Sequence, residues 1–143
     1  MIVGEAPNKE EDAYGMPFIG NVGFVLNSIL TDSGIYRDDV YITHAVKCRS
    51  NKRITHNDVD MCRFNLKTQQ IILNPTVIIT LGSIALYAIT RQRSISKLRG
   101  KFIILPNGIH VMPTLHPTNL IRSSNYELYD KVVKDFIKAK SLF

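Results

Sequence analysis

Four runs of apolar, largely β-branched residues punctuate this chain: Met1 to Gly4, Val40 to Val46, Val77 to Leu81, and His110 to Leu115. Between them, apolar residues return every three or four positions. Val22, Val25, Leu26, Ile29 and Leu30 keep that spacing, and Gly34 stands just past their end as a helix C-cap. Thr55 or Asn57 can cap a helix through Val59, Cys62, Leu66 and Leu73, which must stop before Pro75. Gly82 to Arg91 is a shorter helix, and Tyr129, Val132, Val133, Phe136 and Ile137 draw an amphipathic stripe near the C-terminus. Strands joined through helices imply a largely parallel sheet covered on both faces. A short run, Phe102 to Leu105, leads into Pro106-Asn107-Gly108, and Asn-Gly signals a hairpin.

In sheets of this kind, ligands bind at the carboxyl ends of the strands. That rule selects four segments: Glu5 to Asp12, His44 to Cys48, Gly82-Ser83, and His116 to Arg122. Charge narrows the partner. The net charge of +6 and pI near 9.4 favour a polyanion, either nucleic acid or an anionic surface. No apolar run approaches the roughly 18 residues that span a bilayer, and Met1-Ile2-Val3-Gly4 does not open a secretory signal. A cytoplasmic protein, or one of the host cytoplasm if viral, is expected. In that compartment the two cysteines, Cys48 and Cys62, read as free thiols or metal ligands rather than a disulfide.

The selected segments carry distinctive motifs. The first strand runs into Gly4-Glu5-Ala6-Pro7-Asn8-Lys9-Glu10-Glu11-Asp12, followed by Met16-Pro17-Phe18-Ile19-Gly20-Asn21-Val22-Gly23. The second reads Val40-Tyr41-Ile42-Thr43-His44-Ala45-Val46-Lys47-Cys48-Arg49, and the last ends in His116-Pro117-Thr118-Asn119-Leu120-Ile121-Arg122. In order and spacing, these motifs and Gly82-Ser83-Ile84-Ala85 resemble the uracil-DNA glycosylase superfamily. The likeness is greatest to its family 4, the iron–sulfur branch, and covers Met1 to about Arg122. It implies a single domain over residues 1–143, a three-layer α/β/α sandwich around a four-stranded, mostly parallel sheet.

It also implies a monofunctional DNA glycosylase. Such an enzyme hydrolyses the N-glycosidic bond of uracil, or of a related modified pyrimidine, and leaves an abasic site. The base must be flipped into a pocket. His116 would donate to a base carbonyl as negative charge builds there, a pre-aimed donor of the kind that dominates such catalysis, with Pro117 stiffening the turn. Phe18 would stack on the base, Ala6 would line the pocket, and His44 would read the base edge. Glu5 would manage the water and the charge on the sugar, with Glu11 and Asp12 as secondary acidic candidates. Leu120 would wedge into the gap left by the flipped base. Thr118, Arg122 and the two serines that follow would meet phosphates, as would the basic arm of Lys47, Arg49, Lys52 and Arg53. DNA is the expected partner, with replication or repair proteins as further ones, and the protein is expected to be a monomer.

Three features depart from the family pattern. His44 stands where the family has Asn, and a neutral imidazole offers its donor and acceptor on opposite sides of a ring rather than side by side. Asn8 replaces a glycine, at a turn that glycine would enter with positive φ. The family's 4Fe-4S cluster needs four thiolates. Cys48 and Cys62 match only the later two, so no intact cluster is expected in this chain alone. The other pair would lie upstream of Met1, have been lost, or come from another chain. These departures keep a second reading open, a glycosylase-fold protein without catalysis that serves DNA or a replication protein. A flavodoxin-like small-molecule binder shares the sheet but would want a Gly-rich phosphate loop that is absent here.

Overall fold

The computed structural model describes residues 1–123 and 125–143. The second serine after Arg122, Ser124, therefore lies outside the described residues. The elements run β1 (Ile2–Gly4), α1 (Lys9–Tyr14), α2 (Gly20–Asp32), a single 3-10 turn (Arg37–Asp39), β2 (Ile42–His44), α3 (His56–Leu73), β3 (Val77–Leu81), α4 (Gly82–Thr90), α5 (Ile95–Leu98), β4 (Ile103–Ile104), β5 (His110–Thr114), α6 (Pro117–Ser123) and α7 (Tyr126–Lys140).

The sheet order is β2-β1-β3-β5-β4. The first four strands are parallel, with Ile2 opposite Ile42 on one side and Ile79 on the other, and Ile79 opposite Met112. Five strands form rather than the expected four. The fifth is the Ile103–Ile104 pair, which lies antiparallel to β5. Gly108, at φ 84°, closes the turn, and Leu105 N–H donates to Ile109 O at 2.9 Å. Its two paired residues are too few for periodicity to separate from a loop.

Alternation along the strands builds two cores. Ile2, Ile79 and Met112 point to one face, where Leu26, Ile29 and Leu30 of α2 and Val132 and Phe136 of α7 cover them. Val3, Ile78 and Val111 point to the other, against Leu66 of α3 and Ala85 of α4. This is the expected three-layer sandwich, and it explains why the strands read as unbroken apolar runs.

Helix ends are set by local chemistry. Thr55, not Asn57, caps α3: its hydroxyl accepts from Asp58 N–H, while its own N–H donates to Asp58 Oδ2 at 2.7 Å. The helix stops at Asn74, which takes a left-handed φ of 41° before Pro75. Gly34, at φ 66°, follows α2 as expected. Among the described residues, no helix is long and apolar enough to cross a membrane.

Phe136 joins α7 to the sheet with its side chain fully buried. Phe136→Ala should destabilise the fold by about 3–5 kcal/mol, read as a lower urea midpoint.

Candidate active site

The parallel strands end together, so the segments after β1, β2, β3 and β5 meet along one edge of the sheet. At their centre lies Glu11, a carboxylate only 4% exposed. It is the third residue of α1, where it completes a capping box. Asn8 N–H donates to Glu11 Oε2 at 2.6 Å, and Glu11 N–H donates to Asn8 Oδ1 at 2.9 Å. Asn8 thus has an ordinary extended φ of −81°. The left-handed turn expected there does not form, because the Asn side chain serves as a helix cap.

The other oxygen of Glu11 ties in two ring-bearing residues. Phe18 N–H donates to Oε1 at 2.5 Å, and His44 Nε2 lies 3.3 Å from the same atom. Burial pushes the Glu11 carboxyl up, but these bonds outweigh it and hold the group below its ordinary value. An ionised Glu11 can only accept, so His44 Nε2 carries the proton. His44 Nδ1 is then a bare lone pair, buried and without a hydrogen-bond partner among the described residues. It lies over Gly4, where a Cβ would come within 2.6 Å of both Nδ1 and the Phe18 ring. Only glycine lets the two rings pack against the end of β1.

Phe18 is strained. Its φ of 53° is left-handed, a conformation that costs a bulky residue about 1–3 kcal/mol. The surroundings impose it. Arg37 donates to Pro17 O at 2.8 Å and to Phe18 O at 3.2 Å, and Glu11 holds the amide. Gly23 leaves room for the Phe18 carbonyl, since a Cβ there would lie 2.1 Å from it. The Phe18 ring stacks on His44, with centroids 4.9 Å apart and planes at 28°, and tilts against His116 at 5.7 Å. It is 1% exposed, so it backs the His44 imidazole rather than presenting an open face.

His116 follows β5. Thr118 N–H donates to His116 Nδ1 at 3.2 Å, and the Thr118 hydroxyl lies 2.9 Å from the same nitrogen. A nitrogen that accepts an amide proton carries none itself, so the proton of a neutral ring sits on Nε2. Burial, helped by His44 and Arg122, pushes the His116 pKa down to about 4. The ring is therefore neutral near pH 7, and its Nε2–H has no partner among the described residues. The ring lines a cavity of about 320 Å³, together with Glu5, Ala6, Asn8, Glu11, Thr118, Asn119 and Arg122. Glu5 is half-buried there, and burial raises its carboxyl against the pull of Arg53 and His44. A second cavity of about 300 Å³ lies on the other side of Glu11, lined by Asp12, Tyr41, Thr43, His44 and Lys47 among others.

Not every expected residue reaches the first cavity. Asp12 is exposed and lines only the second. Leu120 is 7% exposed and packs into the core on the α2 and α7 face, so the expected wedge is held inside the fold. The apolar side chain that α6 exposes is the neighbouring Ile121, at 43%. Pro117 is buried at the first position of α6, where its missing N–H is harmless. Lys47 points inward, donating to Thr43 Oγ1, His44 O and Gln69 Oε1 at 2.6–2.8 Å, and burial lowers its pKa to about 8. It leaves the basic arm, whereas Arg49, Lys52 and Arg53 remain exposed.

Cys48 is exposed and Cys62, on α3, is half-buried; both are free. Among the described residues, no three His, Cys, Asp or Glu side chains gather as a metal site. Two thiols fall short of the four that a 4Fe-4S cluster requires, so the residues of this chain do not fit a complete cluster.

The His116 geometry sets a measurable expectation. A histidine held below its ordinary pKa is protonated first in the unfolded chain. Its contribution to stability is thus full above about pH 6.5 and lost as pH falls toward 4. That contribution is on the order of 3 kcal/mol. Ring-nitrogen chemical shifts should place the proton on Nε2 and a titration near pH 4, and a midpoint near 6.5 would contradict the assignment.

Comparison with known proteins identifies the family. The profile of the Uracil DNA glycosylase superfamily matches residues 1–137. A Type-4 uracil-DNA glycosylase of Thermotoga maritima is 43% identical over 145 aligned positions, covering 99% of this chain and 76% of that protein. One from Sulfurisphaera tokodaii is 35% identical, covering 99% and 69%. One from Saccharolobus solfataricus is 34% identical, covering 98% and 69%. With one profile spanning nearly its whole length and a relative 43% identical across 99% of it, the chain belongs to the uracil-DNA glycosylase superfamily.

Proposed function

We propose that this chain is a monofunctional DNA glycosylase acting as a single domain. It hydrolyses the N-glycosidic bond of uracil in DNA and leaves an abasic site. The observation that carries the reading is His116: a neutral imidazole, fixed by Thr118, at a cavity that also holds Glu5.

The chemistry follows from those groups. When the bond from C1′ to the base breaks, its electron pair moves into the base and charge builds on a carbonyl oxygen. A neutral donor fixed before the reaction stabilises that charge without having to reorganise. The sugar becomes electron-poor, and the Glu5 carboxylate offsets this charge, orients a water toward C1′ and takes its proton. The Nδ1 lone pair of His44 suits a base that offers an N–H at its edge, as uracil does at N3. The base reaches the Phe18 face only with a shift of the His44 ring. Arg122 and the exposed Arg49, Lys52 and Arg53 neutralise phosphates, so binding weakens with salt. No step is assigned to an iron–sulfur cluster. The intact pocket favours this reading over a retired fold, because a buried His44 Nδ1 with no partner among the described residues and a strained Phe18 backbone are costly to keep without use.

Incubation with end-labelled oligonucleotides carrying uracil, hydroxymethyluracil or hypoxanthine, followed by hot alkali, tests the proposal. Strand cleavage at uracil is expected, and His116→Ala should lower the rate about 100- to 1000-fold. Absence of cleavage on every substrate, or equal cleavage by His116→Ala, would overturn it. His44→Asn presents a donor and an acceptor side by side. It should raise uracil excision by about fivefold, the worth of one net hydrogen bond of about 1 kcal/mol.

A further inference from the structure

A concavity larger than the pocket beside His116 lies on the α2, α6 and α7 side of the fold. This groove of about 840 Å³ runs between α2, α6 and α7, more than twice the volume of that pocket. Its walls carry exposed rings: Phe24 is 73% exposed and Tyr126 is 87% exposed, with Tyr129 between α2 and α7. The chemistry above uses none of them.

Two helices line both cavities. On α6, Thr118 and Arg122 face the pocket while Leu120 and Ile121 face the groove. On α2, Val22 faces the pocket while Phe24 and Val25 face the groove. A strand leaving the pocket past Arg122 thus enters the groove within one turn of helix. The groove itself is mainly apolar and aromatic, and a cation on this path, Arg122, lies on the pocket side of α6. Asp32 is the sole carboxylate among the groove's described lining residues, and its Oδ2 accepts from the Tyr129 hydroxyl at 2.6 Å.

We infer that this groove is a single-strand track, in which unpaired bases next to the flipped nucleotide stack on Phe24 and Tyr126. Every base has a face that can stack on an aromatic ring, so such a track is indifferent to sequence. A duplex keeps its base faces buried in its own stack and cannot offer them. The groove therefore makes single-stranded DNA the preferred form of the substrate. The substrate part of this inference rests on the glycosylase reading, but the track itself does not.

The test uses the full chain and two readouts. Fluorescence anisotropy with a uracil-free oligothymidylate measures the track without chemistry. Phe24→Ala and Tyr126→Ala should each weaken binding at least about fivefold, and Tyr126→Phe, which keeps the ring, should restore it. Both side chains are largely exposed, so unchanged thermal melting is expected. In excision assays the alanine variants should raise KM on a single strand and leave kcat and the matched duplex unchanged. The inference is overturned if the variants bind like the parent protein, or if strand and duplex suffer equally. It is also overturned if losing the rings instead dissolves a dimer seen by sedimentation, which would make the groove a contact between copies. If no DNA yields abasic sites, the glycosylase reading fails by itself, and the anisotropy result still decides the track.

Discussion

One buried carboxylate organises the strand-end site. Glu11 accepts from the Asn8 amide with one oxygen and meets Phe18 and His44 with the other. In this way it starts α1, fixes the strained turn that carries Phe18, and sets which His44 nitrogen bears the proton. A buried charge is tolerated only when its lone pairs are occupied. Here the groups that occupy them are the same groups that shape the site. Loss of Glu11 would leave a buried amide, a strained phenylalanine and an untethered imidazole at once. Such a cluster acts as a unit, and its members are not separable contributions.

The two histidines receive opposite treatment from similar surroundings. His44 meets a carboxylate through Nε2 and leaves an acceptor. His116 meets an amide through Nδ1 and leaves a donor. Both rings contact Phe18, so one aromatic side chain links the buried acceptor of His44 to the donor of His116. Neither arrangement needs a charged imidazole, and the low pKa of His116 keeps its ring from becoming one near neutral pH. Such an arrangement suits the proposed chemistry, in which a neutral base with polar edges becomes an anion as it leaves.

Much of this was legible in the sequence. Strand runs and helix periods gave the layers because both obey fixed geometric periods. The motifs after β1 and β5 brought Glu5 and His116 to one cavity because strand ends coincide in a parallel sheet. The burial of Glu11 runs against the usual fate of an acidic run, which lies in solvent. The signal that could have shown it was the capping-box spacing of Asn8 and Glu11. The burial of Leu120 and the inward turn of Lys47 were not legible. Each depends on how α6 or α3 lies against distant residues, which a local pattern does not encode. The aromatic groove escaped for the same reason, because Phe24 and Tyr126 are about a hundred positions apart.

The order of the sheet has one more consequence. Its two outer strands are β2, of three residues, and β4, of two. An open sheet edge is a template onto which another chain can add a strand, and shortness is one of the ways natural proteins blunt it. The longest strands, β3 and β5 with five residues each, lie side by side within the sheet. Many copies crowded along a length of DNA therefore expose little backbone through which they could aggregate.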